Sequence, residues 1–251
     1  MPRANSSKAL AEEATERTGT RRAAALLLCA TLGATAPAGA VDFSVQITNL
    51  TNGITFTPFL VAAHPAGTSL FAAGEAASPE LQAMAEGGAI DGLVGILNGI
   101  DATIVENPAG GLLGPTASTT ASLNTDDSDN VLLSVVAMLL PTNDAFAGLN
   151  SIEIPTEAGT YVYNLPAYDA GTEANDEIVN GGGAPGVPGI PAAPGGSGTG
   201  AFGVTGADTN TTVHIHRGTV GDTDTSGGPS DLDVNVHRWL NPVVRVTLTV
   251  N

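Results

Sequence analysis

Between Pro166 and Glu177 the chain reads PAYDAGTEANDE and carries four carboxylates, Asp169, Glu173, Asp176 and Glu177, with no basic residue among them. Carboxylates a few ångströms apart repel one another. Such a run therefore belongs either to a well-solvated loop or to a site where a cation collects the charges. A further acid, Asp144, sits in the loop PTNDAFAG, directly after the apolar run VLLSVVAMLL at residues 131–140. If that run rises as a strand, LNSIEI descends and TYVYNL rises again as the second arm of a hairpin across PTEAG. Asp144 and Asp169 then emerge at the same end of the sheet. Carboxylates on adjacent loops, with backbone carbonyls and water completing about six to eight oxygens, are what calcium requires. No thiol or imidazole lies nearby in the sequence, which disfavours zinc and copper.

Other residues could do chemistry. DTDTSGGPSDLD, from Asp222 to Asp233, has acids or hydroxyls at positions 1, 3 and 5, glycine at 6 and an acid at 12, the spacing of an EF-hand loop. Pro229 falls where that loop needs a short strand pair, and no amphipathic helices flank it, so the alternative is a polar hairpin loop. His214 and His216 share one face of the strand TVHIHR, and His64 and His237 could join them; two histidines at strand spacing can ligate copper or zinc, or simply pack. GTGAFG at 198–203 matches a dinucleotide-binding glycine pattern but follows a Pro/Gly loop and opens no helix, and GGSGT departs from the nucleophile-elbow pattern at its last position. No paired nucleophile and base stands out.

The elements that must position these residues read mostly as strands. FSVQITNL alternates apolar and polar residues as a half-buried strand does, and Thr51-Asn52-Gly53 then turns the chain. FTPFLVAAH is a strand whose Pro58 argues for an edge or a bulge. Ser78-Pro79-Glu80 is a helix start and Gly87-Gly88 its stop, with a second short helix expected around IDGLVGILNG. VLLSVVAMLL has the length of a buried central strand and is too short for a membrane span. Residues 181–200, GGGAPGVPGIPAAPGGSGTG, read as a long loop without enough apolar bulk to pack, and TVHIHR and PVVRVTLTV read as the missing edge of the same sheet system.

Residues 1–40 differ in kind. They hold five of the eight basic residues, and Arg21-Arg22 lead into AAALLLCATLGATA, which closes on Ala38-Gly39-Ala40. This is the pattern of a secretory signal peptide cleaved before Val41, leaving one domain over 41–251 and a location outside the cell or in the periplasm. Cleavage would also remove Cys29, the sole cysteine, so the exported domain depends on its core rather than on disulfides. Beyond residue 40 only Arg217, Arg238 and Arg245 oppose 22 acids, in a chain whose formal net charge is −17. A nucleic-acid footprint is excluded by that balance, as is attraction to anionic lipid, whereas divalent cations are natural partners.

The segments LLPTNDAFAGL and LPAYDAGTEANDE, with the ending HRWLNPVVRVTLTV, resemble the spondin domain, the module of animal F-spondin and mindin and of secreted bacterial proteins. The pattern Y-D-A-G-T-[DE], placed a hairpin after [ST]-x-D-x-[FW]-x-G, carries the resemblance over most of residues 43–251. It implies an all-β fold, a C2-like antiparallel β-sandwich with one or two short helices. It also implies calcium bound by the acid of the first motif and the two acids of the second, here Asp144, Asp169 and Glu173. Two positions depart from the animal pattern: Ala145 replaces tryptophan, and Glu173 replaces aspartate, reaching one methylene further and opening monodentate ligation or a water bridge. The function so implied is a secreted calcium-binding module that binds an extracellular protein or glycan. The rival is an exported hydrolase or a His-ligated metal enzyme whose site is assembled from scattered residues.

Overall fold

The computed structural model describes residues 40–251 apart from 127, 205 and 207. The expected signal peptide lies, but for Ala40, outside the described residues. Two antiparallel sheets face each other. The smaller joins β5 (Ser118–Asn124), β1 (Asp42–Asn49), β11 (Val244–Val250) and β8 (Gly159–Leu165), in that order. The larger runs β10 (His214–Ile215), β9 (Ala167–Asp169), β7 (Ala145–Glu153), β6 (Leu132–Leu140), β3 (Leu60–His64) and β4 (Thr103–Glu106), with β2 (Thr55–Phe56) pairing the end of β6. The fold is an all-β sandwich with few short helices, as the sequence implies.

Burial explains the sequence patterns. Phe43, Val45 and Ile47 of β1 point inward beside Val246 and Leu248 of β11, while the intervening residues face out, hence the alternation. β6 has no such alternation because both its faces are covered. Leu133, Val135, Ala137 and Leu139 enter the core between the sheets, and Val136, Met138 and Leu140 enter a second core under α1 (Pro79–Gly87) and α2 (Asp91–Asn98). Ser78 caps α1, its hydroxyl accepting from the Leu81 amide at 3.1 Å, worth about 1 kcal/mol.

Three expectations are corrected. LNSIEI and TYVYNL form no hairpin: the first belongs to β7 in the larger sheet, whereas β8 pairs with β11 in the smaller one. The turn between them is a crossover, because Tyr161 and Tyr163 pack onto the inter-sheet core from the opposite side. PVVRVTLTV is not an edge either, since β11 is flanked by β1 and β8. Pro58 interrupts the chain between β2 and β3, so β3 itself remains an interior strand between β6 and β4.

Residues 181–200 do pack. Ile190 is fully buried, its amide donating to the Ile178 carbonyl at 2.7 Å. Carboxylates supply the remaining attachment, which apolar counting overlooks: Gly186 N–H donates to buried Glu86 of α1, Gly189 N–H to Glu173, and Thr199 N–H to Asp231.

Candidate metal centre

Asp144 and Asp169 meet through the register of β7 and β9. Ala145 is the partner of Asp169, and the Ala170 amide donates to the Asp144 carbonyl at 3.2 Å. Both carboxylates thus sit at one end of the larger sheet, although the chain reaches that end by crossing between sheets. Beneath them Phe146, one residue into β7, packs against Phe71 edge-on at 5.0 Å and against Tyr168 of β9 at 5.5 Å. Gly148 leaves room for that cluster, since a Cβ there would come within 2.6 Å of the Phe71 ring. The spacing of the two motifs therefore builds an aromatic support under an acidic rim.

The loop after Asp169 folds back on Asp144. Gly171, at φ 70°, is pressed against the backbone of Thr211 and Thr212, where a Cβ would stand 2.7 Å away, so only glycine fits. The Thr172 amide then donates to Asp144 Oδ2 at 2.8 Å, the Thr172 hydroxyl at 3.2 Å and the Glu173 amide at 3.1 Å. Its other oxygen, Oδ1, is buried with no hydrogen-bond partner, and Glu173 Oε1 is in the same condition. Glu173 Oε2 accepts from Gly189 N–H at 3.1 Å and from Asn143 Nδ2 at 3.4 Å. Asp169 Oδ1 accepts from Gly171 N–H, and Oδ2 from Asn175 Nδ2 at 2.8 Å.

These surroundings change the acidity of the carboxyls. Burial, and then the neighbouring Asp169 charge, pushes Asp144 up to about 7 against the pull of its three donors. Glu173 is likewise raised to about 7, first by burial and with Glu86 and Asp144 adding repulsion. Two unpartnered carboxylate oxygens among mutually repelling acids fit a cation, whose charge offsets both desolvation and repulsion. Among the described residues no three His, Cys, Asp or Glu side chains converge as a ready-made metal cage. The three candidate ligands offer oxygen alone, and a site of that kind takes carbonyls and water for the rest.

The four carboxylates of PAYDAGTEANDE divide their labour. Asp176 accepts from Asn143 Nδ2 at 2.9 Å and from the Ile178 amide. Glu177 is buried, and its two oxygens accept from the amides of Val220 and Gly221 and from the Ser230 hydroxyl. Asp176 and Glu177 are structural fasteners, and only Asp169 and Glu173 stay with Asp144. The sequence reading missed the amides that arrange this. Buried Asn143 links Glu173, Asp176 and the Glu177 amide, and Asn175 links Asp169, Asp208 and His216. Their position beside the acids, in TND and in EANDE, was the available signal.

Of the competing constellations, the pair His214 and His216 comes to the site itself: their Nε2 atoms stand 3.7 and 4.0 Å from Asp169 Oδ2, so imidazoles do lie beside the carboxylates although none is near them in the sequence. Asp222 and Asp224 accept from amides within their own turns, and Asp233 caps α3 (Val234–His237). Asp231, in the same loop, accepts from the distant amides of Val179, Thr199 and Ala201, and among the described residues no helix leads into the loop. His216 is neutral: its Nδ1 accepts from Gly218 N–H, its Nε2 faces Asn175 Oδ1, and burial brings it down to about 4. Its approach to Asp169 at 4.0 Å is therefore no ion pair. His64 lies far off in β3, where Nε2 meets the Ser134 hydroxyl at 2.8 Å. That Ser–His pair was not foreseen. Both side chains are wholly enclosed, so no substrate reaches them.

Residues 43–178 match the Spondin_N family model. The chain belongs to the Spondin_N family. No curated protein matches it. The matched span takes in both motifs and all three candidate ligands, Asp144, Asp169 and Glu173, and stops after the acidic loop. The spondin module is non-enzymatic and of extracellular type. Strand β11, which lies between β1 and β8 in the smaller sheet, falls beyond the match. No described helix is long and apolar enough to cross a membrane.

Proposed function

We propose that this spondin-family chain is a secreted calcium-binding module whose extracellular role is to bind a protein or glycan rather than to catalyse a reaction. The exported domain spans residues 41–251 after removal of 1–40. Asp144 and Glu173 offer their free oxygens to the ion, and Asp169 contributes from β9. Calcium supplies charge neutralisation there and ties the β6–β7 turn to the loop after β9. The observation that carries the reading is the pair of buried, unpartnered oxygens, Asp144 Oδ1 and Glu173 Oε1.

The test is thermal melting of the purified protein with calcium and with magnesium at equal concentration. Binding to the native state alone raises stability by about 2.7 kcal/mol at a hundredfold excess over Kd. Calcium should therefore raise Tm well above the magnesium value, since magnesium keeps its waters and demands a tight octahedron. Asp169→Asn should remove most of the difference. Equal shifts for the two ions, or a fully responsive Asp169→Asn protein, would reduce the cluster to a solvated acidic rim.

A further inference from the structure

Arg217 and Arg238 line one depression of about 260 Å³, whose other walls are Gly218, Thr219 and Val220. With Arg245 they are the only strong cations beyond residue 40, facing 22 acids in the same stretch. Exposed arginines in so acidic a chain have carboxylates in abundance to pair with. Yet among the described residues the only acid–base contacts within ion-pair range are those of His214 and His216 with Asp169. Neither guanidinium hydrogen-bonds to any described residue. Two of three scarce cations thus converge on one hollow with their donors unspent.

The hollow is held by backbone. Gly218, at φ 88°, lies against the Trp239 carbonyl, and its amide donates to His216 Nδ1 at 2.9 Å. The Thr219 hydroxyl donates to the His237 carbonyl at 3.3 Å, which ties the segment of Arg217 to that of Arg238. The amides of Val220 and Gly221 are anchored on buried Glu177. Glu177 adds one opposing charge below the floor, but its oxygens are committed to those amides and to Ser230. Val220, 47% exposed, leaves an apolar flank beside the two cations. Apart from Glu177, all of these residues lie outside residues 43–178, the span that the family match covers.

We propose that Arg217 and Arg238 form a binding site for a compact oxyanion, a sulfate, phosphate or carboxylate group carried next to a small apolar moiety. Guanidinium groups present planar, forked donors suited to such groups, and two of them can grip one anion from both sides. The surrounding acidity sets the size limit. At physiological salt the screening length is about 8 Å, so remote carboxylates do not cancel the local pair. A polyanion laid across the surface would meet those carboxylates directly and be repelled.

Trp239, the sole tryptophan, follows Arg238 and packs on His216 at 5.1 Å, so its fluorescence reports on the hollow. The secreted protein is titrated with inorganic sulfate, inorganic phosphate and acetate at constant ionic strength, with chloride as reference, in calcium and again in EDTA. A saturable change with at least one oxyanion, absent with chloride, is the expected result; whether the tetrahedral ions or acetate give it names the source chemistry. Arg217→Gln and Arg238→Gln should each weaken binding about tenfold or more, as loss of a charge-assisted pair does. Arg217→Lys should weaken it less, and Arg245→Gln, on β11, should leave it intact. A response no larger than that of chloride would overturn the proposal, as would arginine variants that titrate like the parent or an Arg245→Gln protein that loses binding equally. Saturation in calcium and in EDTA alike separates this site from the carboxylate cluster, so either can fail alone.

Discussion

Replacing Asp144 by asparagine should stabilise the calcium-free protein and destabilise it relative to the parent once calcium is present. The Asp144 carboxyl is fully buried and raised from 3.8 to about 7. Because the folded-state value lies above the unfolded one, this group favours folding while protonated. Its contribution is intact below about pH 4 and is lost as pH climbs through about 7. At about 1.4 kcal/mol per tenfold change, holding it ionised above pH 7 without a cation costs about 4 kcal/mol at most. In Asp144→Asn the carbonyl oxygen can keep the three donors that now converge on Oδ2, while the amide nitrogen takes the place of the orphaned Oδ1. A buried donor without a partner costs about 1–3 kcal/mol, which leaves a net gain of about 1–3 kcal/mol in EDTA at pH 8. For a domain of this length, that is a Tm rise of about 2–4 °C per kcal/mol. At pH 5 the parent carboxyl is protonated and the gain should vanish. With calcium at a thousandfold excess over Kd, the parent should recover about 4.1 kcal/mol and the variant almost nothing, so the order of stabilities reverses. Differential scanning calorimetry in EDTA and in calcium at pH 5 and 8 gives the four values for each protein. An Asp144→Asn protein less stable than the parent in EDTA at pH 8, or one that gains as much from calcium, would refute the claim that uncompensated charge is stored at this site.

Three further outcomes are expected. Gly171→Ala should lower stability by about 2 kcal/mol or more and abolish the calcium response, because it strains a left-handed backbone and crowds Thr211 and Thr212; chemical denaturation with and without calcium measures both. Asp222→Asn should leave the calcium-induced Tm shift nearly unchanged, since Asp222 serves the amides of Asp224 and Ser230. N-terminal sequencing of exported material should begin at Val41, and an intact Met1 on exported protein would contradict the signal-peptide reading.

Some of this was settled by the sequence because its causes are local. Alternation in β1, a continuous apolar run in β6 and a capped start at Ser78 each follow from burial or hydrogen bonding within a few residues, and each element is found where the pattern puts it. The two motifs also marked Asp144 and Asp169, which the pairing of β7 with β9 sets at one end of the larger sheet. What the sequence could not decide was partnership across long separations. Strand pairing depends on which face finds a complementary surface, so β8 left its neighbour β7 for β11, about eighty residues away. The Gly/Pro segment packs because distant carboxylates, Glu86, Glu173 and Asp231, accept its amides, a contribution invisible to any count of apolar residues. The same physics sorted the acidic run: Asp176 and Glu177 met donors in three dimensions and became fasteners, while Asp144 and Glu173 each kept one buried oxygen without a donor. Only tertiary structure tells such acids apart, because a carboxylate's role is fixed by the donors that the rest of the chain brings to it.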